Sequence, residues 1–161
     1  MHNRTCQFSE CRQYRYTLWR DWSDNERTSR DFVMFIGLNP STADEVKDDP
    51  TIRRCVLFAK AWGYSAMVMT NLFAFRATSP DAMKEQKEPV GRENNYWLKH
   101  TAQHAGLIVA AWGALGAHLG RGDEVEAMLC GRQLSCLGKT RAGHPSHPLY
   151  LKKTEVLRSL A

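Results

Sequence analysis

The sequence has no long apolar run, and this absence limits where the protein can reside. None of its apolar stretches approaches the roughly 20 residues of a membrane-spanning helix. The first residues contain no apolar segment of the kind that secretory signal peptides carry. We therefore expect a cytoplasmic protein that has no membrane association.

Closely spaced cysteine pairs are also missing. The five cysteines, Cys6, Cys11, Cys55, Cys130 and Cys136, include no C-x-x-C pair. Their odd number suits reduced thiols in a cytosolic protein, and their spacing does not suit a zinc or iron–sulfur site. We expect no metal and no cofactor.

Internal repeats, low-complexity tracts and linker-like segments are absent as well. A chain of 161 residues suits one domain of ordinary size, so we expect a single domain over residues 1–161 and a monomer. The formal net charge of +5 permits a polyanionic partner such as nucleic acid but does not require one.

Strand and helix patterns alternate along the chain. Four runs predict buried strands, over residues 31–38, 65–73, 107–113 and 132–138. Helical patterns follow them, over residues 50–63, 91–106, 114–131 and 149–161. An aromatic-rich segment, 14–22, predicts an N-terminal edge strand, and 23–30 predicts a polar turn. This order predicts a three-layer α/β/α sandwich with a central, mainly parallel four-stranded sheet.

The stretch GLNPS, residues 37–41, follows the first predicted buried strand. Ligands of parallel sheets bind at the carboxyl ends of the strands. Gly37 would allow close approach of a ligand to the backbone, and Pro40 would stiffen the turn. Asn39 presents both a donor and an acceptor. It either orients a water or ligand on a pocket floor or forms a strand-ending Asx-turn.

Asn71 is a polar residue near the end of the second apolar strand. A buried amide without partners costs about 1–3 kcal/mol, so some group must face it. A ligand with an amide-like edge and the backbone of a neighbouring loop are equally good candidates.

The stretch GHPSHP, residues 143–148, is a stiff loop that carries two histidines. A histidine fixed by prolines can donate a hydrogen bond to a developing anion or move a proton near neutral pH. The alternative is a polar turn that caps the following element. An earlier acidic cluster, which includes Asp48 and Asp49, would hold Mg²⁺ or cap the helix after it, and the position of Pro50 favours the cap.

Four stretches, FIGLNP, VMTNLFAFR, IVAAWGA and GHPSHPL, resemble in order and placement the motifs of the uracil-DNA glycosylase superfamily. The first resembles the G-x-N-P motif of its mismatch-specific branch, and the last resembles its H-P-S-P-L loop with His147 inserted. Over most of the chain, LNPSTADEVKDDPTIRRC and NLFAFRAT resemble more specifically a family of small bacterial and phage proteins catalogued as a domain of unknown function.

The first resemblance implies a mechanism, because that superfamily hydrolyses the N-glycosidic bond of a base flipped out of DNA. His144 would donate to O2 of the departing base, and Asn39 would position the attacking water. Asn71 would pair with N3–H and O4 of the base. The rest of the implied base pocket is Gly37, Leu38, Pro40, Ser41, Phe73 and Phe75.

The resemblance also implies contacts with nucleic acid. Pro145 and Ser146 would pinch a phosphate, and Leu149 would enter the duplex as a wedge. The other implied contacts come from the residues around them, Lys139, Arg141, His147 and Lys152.

Two departures from the superfamily pattern matter for the chemistry. Asn39 stands where another branch has a carboxylate, so Asp48 and Asp49 become candidate replacements through their proximity in sequence. No aromatic residue lies between Ser41 and Leu57, so Phe73 or Phe75 would have to supply the ring that stacks on the base.

These observations favour a DNA base glycosylase acting on uracil or a modified or deaminated base in double- or single-stranded DNA. The acidic loop beside Asn39 favours an alternative, a hydrolase or transferase that acts on free nucleosides or nucleotides. The absence of a carboxylate at position 39 favours a third reading, a non-catalytic module that binds nucleobases or nucleic acid.

Overall fold

Strands and helices alternate along the computed structural model, which describes residues 3–24 and 31–161. Its strands are β1 (Asn3–Phe8), β2 (Arg15–Asp21), β3 (Phe32–Gly37), β4 (Ala66–Asn71), β5 (Leu107–Ala110), β6 (Ser135–Cys136) and β7 (Arg158–Ser159). Its α-helices are α1 (Pro50–Ala61), α2 (Pro80–Lys84), α3 (Asn94–His104) and α4 (Arg121–Met128), with 3₁₀ turns at Ala114–Gly120 and Pro148–Tyr150. Residues 25–30 of the predicted polar turn lie outside the described residues. None of the described helices has both the length and the apolar character needed to cross a membrane.

The strands form one sheet in the order β1-β2-β4-β3-β5-β6-β7. The neighbours β4, β3, β5 and β6 are parallel, whereas β1, β2 and β7 join antiparallel at the two sides. The α/β class predicted from the sequence is confirmed. The predicted number of strands, four plus an edge strand, is wrong, because the sheet has seven strands over the described residues. The predicted edge strand is β2, and β1 covers its outer side.

Helices cover both faces of the sheet because the central strands are buried on both sides. Met34 and Ile36 of β3 face a core cluster that includes Leu98 of α3 and Val125 of α4. The alternate residues of β3 face a second cluster, formed with Ile52, Cys55, Phe58 and Ala59 of α1. Each fully buried aliphatic or aromatic side chain contributes about 1.5–3 kcal/mol, so this two-sided burial fixes the position of β3 in the middle.

The predicted helix over residues 149–161 is wrong. The chain there makes a single 3₁₀ turn and ends in the short strand β7, in which Ser159 pairs with Ser135 of β6. The Leu160 N–H donates to the Leu134 carbonyl at 2.9 Å, and the Leu160 side chain packs into the first core cluster. Pairing with β6 and burial of Leu160 thus outweigh the helical propensity of the segment.

Three arginines of the β1–β2 hairpin hold the acidic loop that precedes α1. Arg12 makes a two-point contact with Glu45 at 3.1 and 3.0 Å, and Arg4 bonds Asp48 at 2.9 Å. Arg20 is buried, and its guanidinium donates to Asp48 at 2.8 Å and to the carbonyl of Asp44 at 2.5 Å. The negative charge of this loop is therefore largely compensated within the protein.

Replacing Arg20 with Met should lower the free energy of unfolding by roughly 3 kcal/mol, because loop carbonyls and the partly buried Asp48 lose a charged donor. Arg12→Met is the matched control. It removes an exposed ion pair, so the loss of stability should be much smaller than that of Arg20→Met. Urea unfolding of both variants measures the difference, and equal losses would contradict this account.

Candidate functional site

A cavity of about 250 Å³ opens where the parallel strands end at their carboxyl edge. It is lined by the ends of β3 and β4, by Ala111 and Trp112 after β5, and by His147 in the loop after β6. Arg15 and Asn71 are buried residues of its lining, 2% and 3% exposed, and we call this buried part of the cavity its inner end, whereas Tyr150 at the mouth is 86% exposed. The volume is at the small end of the range for ligand sites, which suits a single ring or a small polar group.

Asn71 ends β4 and has an amide that is incompletely bonded. Its Nδ2 has no hydrogen-bond partner among the residues that the structure describes. Gly37 is its register partner on β3, and a Cβ at Gly37 would lie 2.8 Å from Asn71 Oδ1. The glycine therefore leaves the space that this amide occupies. The loop backbone considered as the partner of Asn71 does not take up Nδ2, which leaves that donor for a group in the cavity.

Two buried side chains fix the backbone at the end of β4. Asn94 Nδ2 donates to the carbonyls of Asn71 and Leu72, each at 3.0 Å. Arg121 Nε donates to the Leu72 carbonyl at 2.9 Å, and Arg121 Nη2 donates to Asn95 at 2.6 Å. These contacts set the direction in which Asn71 enters the cavity.

The GLNPS stretch, residues 37–41, lines the cavity along its whole length, including Leu38, Pro40 and Ser41. Asn39 Nδ2 donates to the carbonyls of Pro40 and Ala77 at 3.1 and 3.0 Å. The amide therefore ties two loops together and leaves Oδ1 as its acceptor. Asn39 lines the cavity, but the bonds from its Nδ2 are not those of the predicted Asx-turn, in which Oδ1 would accept from the backbone two residues on.

The structure brings His147, rather than His144, to the cavity. His144 closes a turn in which the Thr140 N–H donates to the His144 carbonyl at 2.7 Å, and His144 is not among the cavity-lining residues. Pro145 accepts from the Gly113 N–H at 2.8 Å, and the Ser146 N–H donates to the Gly138 carbonyl at 2.9 Å. These backbone contacts hold the loop so that the next histidine faces inward.

A backbone hydrogen bond selects one tautomer of the neutral His147 ring. The Leu149 N–H donates to His147 Nδ1 at 3.2 Å, so a neutral ring carries its proton on Nε2. Burial lowers the pKa of His147 below its usual value, and the charge of Asp49 opposes this only in part. At neutral pH the ring is therefore an uncharged hydrogen-bond donor.

The two carboxylates proposed from the sequence lie in different places. Asp48 bonds Arg4 and Arg20 and does not line the cavity. Asp49 does line it, and its Oδ1 accepts from the Ile52 N–H at 2.8 Å as the N-cap of α1. The capping role that the sequence favoured is confirmed for Asp49, and the structure separates Asp48 from the cavity.

Phe73 and Phe75, considered as stacking rings, do not line the cavity. Phe73 is fully buried in the first core cluster, and Phe75 packs edge-on against Tyr14 at 5.6 Å between ring centroids. The aromatic side chains that line the cavity are Trp112, which is buried, and Tyr150, whose ring lies 5.4 Å from that of His147. The exposed ring of Tyr150 is available at the mouth.

The residues considered for nucleic-acid contact are divided by their environment. Lys139 Nζ donates to the Leu160 carbonyl at 2.8 Å, which ties it to the C-terminal segment. Arg141 and Lys152 are exposed, and Leu149 is exposed beside the mouth. Pro145 is buried, so it acts through the loop backbone.

Arg15 is a charged cavity residue that the sequence analysis missed. Its Nη1 donates to the Ala43 carbonyl at 3.0 Å, and its Nε has no partner among the residues of the described ranges. Burial lowers the pKa of Arg15 to about 10, so the side chain is still charged at neutral pH. An arginine in an alternating aromatic strand gave no sign of burial, because its neighbours Tyr14 and Tyr16 fit an edge strand equally well.

Comparison with known proteins gives one match. A family model described as "Protein of unknown function (DUF1643)" matches residues 15–149. The chain belongs to this family. Its matched region contains every cavity-lining residue except Tyr150. Searches of curated proteins and of solved structures find no match.

Asp49→Ala should lower the free energy of unfolding by about 1 kcal/mol, because the Ile52 N–H at the start of α1 loses its cap. Asp49→Asn keeps a capping oxygen and should cost only a few tenths of this. Chemical denaturation measures both variants. An equal loss in the two would show that the carboxylate charge matters more than the cap.

The depressed pKa of His147 should make stability depend on pH. The unfolded chain takes up the proton near pH 6.5 and the folded chain only at lower pH, so stability rises with pH across this window and is lost as pH falls through it. His147→Asn keeps an acceptor for the Leu149 N–H but cannot titrate. Urea unfolding from pH 5 to 8 should show a smaller slope for the variant, and identical slopes would contradict this assignment.

Proposed function

We propose that this protein hydrolyses the N-glycosidic bond of a nucleobase, as a base glycosylase acting on uracil or a modified or deaminated base. The observation that carries the proposal is that Asn39, Asn71 and His147 line one cavity, although they lie far apart in the sequence. The resemblance to the uracil-DNA glycosylase superfamily supports it, with His147 taking the role first given to His144.

The side chains supply the groups that this reaction needs. Breaking the bond leaves a cationic sugar and an anionic base, so donors aimed at the base lower the barrier. The Nε2–H of neutral His147 can donate to a carbonyl oxygen of the base as charge develops there. The unpartnered Nδ2 of Asn71 can donate to the edge of the base from the inner end.

Water activation falls to groups near the mouth. Both N–H bonds of Asn39 are used by carbonyls, which directs Oδ1 as an acceptor for a water hydrogen. Asp49 is an acidic side chain that lines the cavity, and it caps α1 through Oδ1. In this proposal Asn39 orients the water and Asp49 is the nearby carboxylate that receives its proton.

DNA is the proposed partner for the mouth of the cavity. Leu149 and Tyr150 present exposed apolar surface beside the opening, and Arg141 and Lys152 place exposed positive charge on the same loop region. Apolar side chains of this kind can fill the space that a flipped base leaves, and the cations can neutralise phosphates. A free nucleotide is the second candidate substrate, and the buried cation at the inner end favours it.

The proposed activity is tested with oligonucleotides that contain uracil, hypoxanthine or hydroxymethyluracil, in single and double strands, and with the corresponding nucleotides. We expect release of free base from at least one of them. His147→Asn removes the Nε2–H donor and should lower kcat about 10²- to 10³-fold. His144→Asn is the matched control and should retain activity, because His144 does not line the cavity.

Two outcomes would contradict the proposal. One is that no substrate yields free base. The other is that His144→Asn loses as much activity as His147→Asn, which would show that the loop matters as a whole and the cavity histidine does not.

A further inference from the structure

A positive charge is buried at the inner end of the cavity and, among the described residues, has no carboxylate at ion-pair distance, although the more distant charge of Asp49 offsets it in part. Arg15 is 2% exposed, and no carboxylate of the described residues lies within ion-pair distance of it. Its one described hydrogen bond goes to the Ala43 carbonyl, and Nε has no partner within the described ranges. Burying a charge in this way is costly unless a partner is supplied.

A β-bulge aims Arg15 at the cavity. Gln7 of β1 pairs with Thr17, but the next residue, Phe8, pairs with Arg15, so Tyr16 is the extra residue. A bulge of this kind resets which face successive side chains occupy. Leu18 packs in the second core cluster with Ala43, and the bulge allows Arg15 to reach Ala43 on that same face.

The other arginines of the hairpin show what Arg15 lacks. Arg4, Arg12 and Arg20 each bond a carboxylate of the acidic loop. The carboxylate that lines the cavity with Arg15 is Asp49, which caps α1 and lies beyond ion-pair distance of Arg15, although, against the lowering by burial, its charge raises the pKa of Arg15. The charge of the fourth arginine is therefore offset only in part by the loop and stays available to the cavity.

A second unsatisfied donor lies at the same inner end. Asn71 Nδ2 is buried and unpartnered within the described ranges, and it lines the cavity with Arg15. Two donors, one of them charged, match a group with at least two acceptor oxygens and a negative charge. We propose that the inner end of the cavity is an oxyanion-binding subsite formed by Arg15 and Asn71, which takes a carboxylate or a phosphate carried by the ligand.

The position of the subsite restricts which oxyanion can reach it. A backbone phosphate of intact DNA runs along the outside of the protein, whereas Arg15 and Asn71 are buried residues of the cavity lining. The oxyanion must therefore enter with the ligand, either as a carboxylate on the heterocycle or as the terminal phosphate of a nucleotide. The substrate class inferred here rests on the proposed function. The existence of the anion subsite does not depend on that function.

Calorimetric titration of the full chain tests the subsite with matched charged and neutral ligands. The pairs are uridine 5′-monophosphate with uridine, and orotate with uracil, and inorganic phosphate is titrated alone. We expect one charged ligand to bind about 10- to 100-fold tighter than its neutral partner, as charged hydrogen bonds imply. The pair that shows the difference identifies the source of the oxyanion.

Arg15→Met should remove this preference by weakening the charged ligand far more than its neutral partner. Arg53→Met is the matched control, because Arg53 is an exposed arginine of α1 that does not line the cavity. The unliganded Arg15→Met protein should melt at the same or a higher temperature than the wild type, since an unpaired buried charge is replaced by an apolar chain. Arg15→Lys keeps the charge without the planar fork and should show an intermediate preference.

The results separate this inference from the proposed function. Base release without any charged-over-neutral preference would overturn the oxyanion subsite and leave the function in place. A preference that depends on Arg15, without base release from any substrate, would support the subsite and overturn the function. Equal weakening of charged and neutral ligands by Arg15→Met would also overturn the subsite.

Discussion

The cavity depends on polar groups that are buried at the ends of parallel strands and have donors without a partner among the described residues. β3 and β4 run side by side in register, and their last residues, Gly37 and Asn71, lie next to each other. Because Gly37 has no side chain, the Asn71 amide fits beside it, and Asn94 and Arg121 fix the carbonyls that follow. The sheet therefore holds in a fixed position an amide whose donor is unsatisfied. Leaving that donor unpaired costs free energy, which would be unexpected for a residue with no role beyond the fold.

The β1–β2 hairpin has two separate electrostatic tasks. Towards the acidic loop it supplies Arg4, Arg12 and Arg20, which compensate carboxylates that would otherwise repel an anionic ligand. Towards the cavity it supplies Arg15, which makes no ion pair among the described residues and feels the charge of Asp49 only from a distance. The β-bulge at Tyr16 allows Arg15 to share the face of the sheet on which Leu18 packs. The sequence predicted only an edge strand here, but through Arg15 the hairpin contributes to the cavity lining.

The sequence predicted the elements whose signals are local and missed those that depend on tertiary placement. The helix after Pro50, its Asp49 cap, and the strands that end at Gly37 and Asn71 follow from periodicity and capping chemistry, and all are confirmed. The choice between His144 and His147 could not be made, because it depends on how backbone bonds from Gly113 and Gly138 turn the loop. The C-terminal helix was wrong because pairing with β6 and burial of Leu160 are contacts between distant residues.

Arg15 and His147 line the same cavity but differ in how their charge responds to it. Burial leaves Arg15 protonated, since even a lowered arginine pKa stays well above neutral, whereas burial keeps His147 uncharged because its ordinary pKa is near neutral. The cation therefore stays at the inner end, and the histidine offers a donor whose strength grows only as a partner gains negative charge. If both were cationic, the cavity would favour any anion at rest. Under the proposed function, one neutral donor lets the site hold a charged ligand through Arg15 and still respond to charge that develops elsewhere on that ligand. This would be the distinction between binding a ground state and stabilising a transition state.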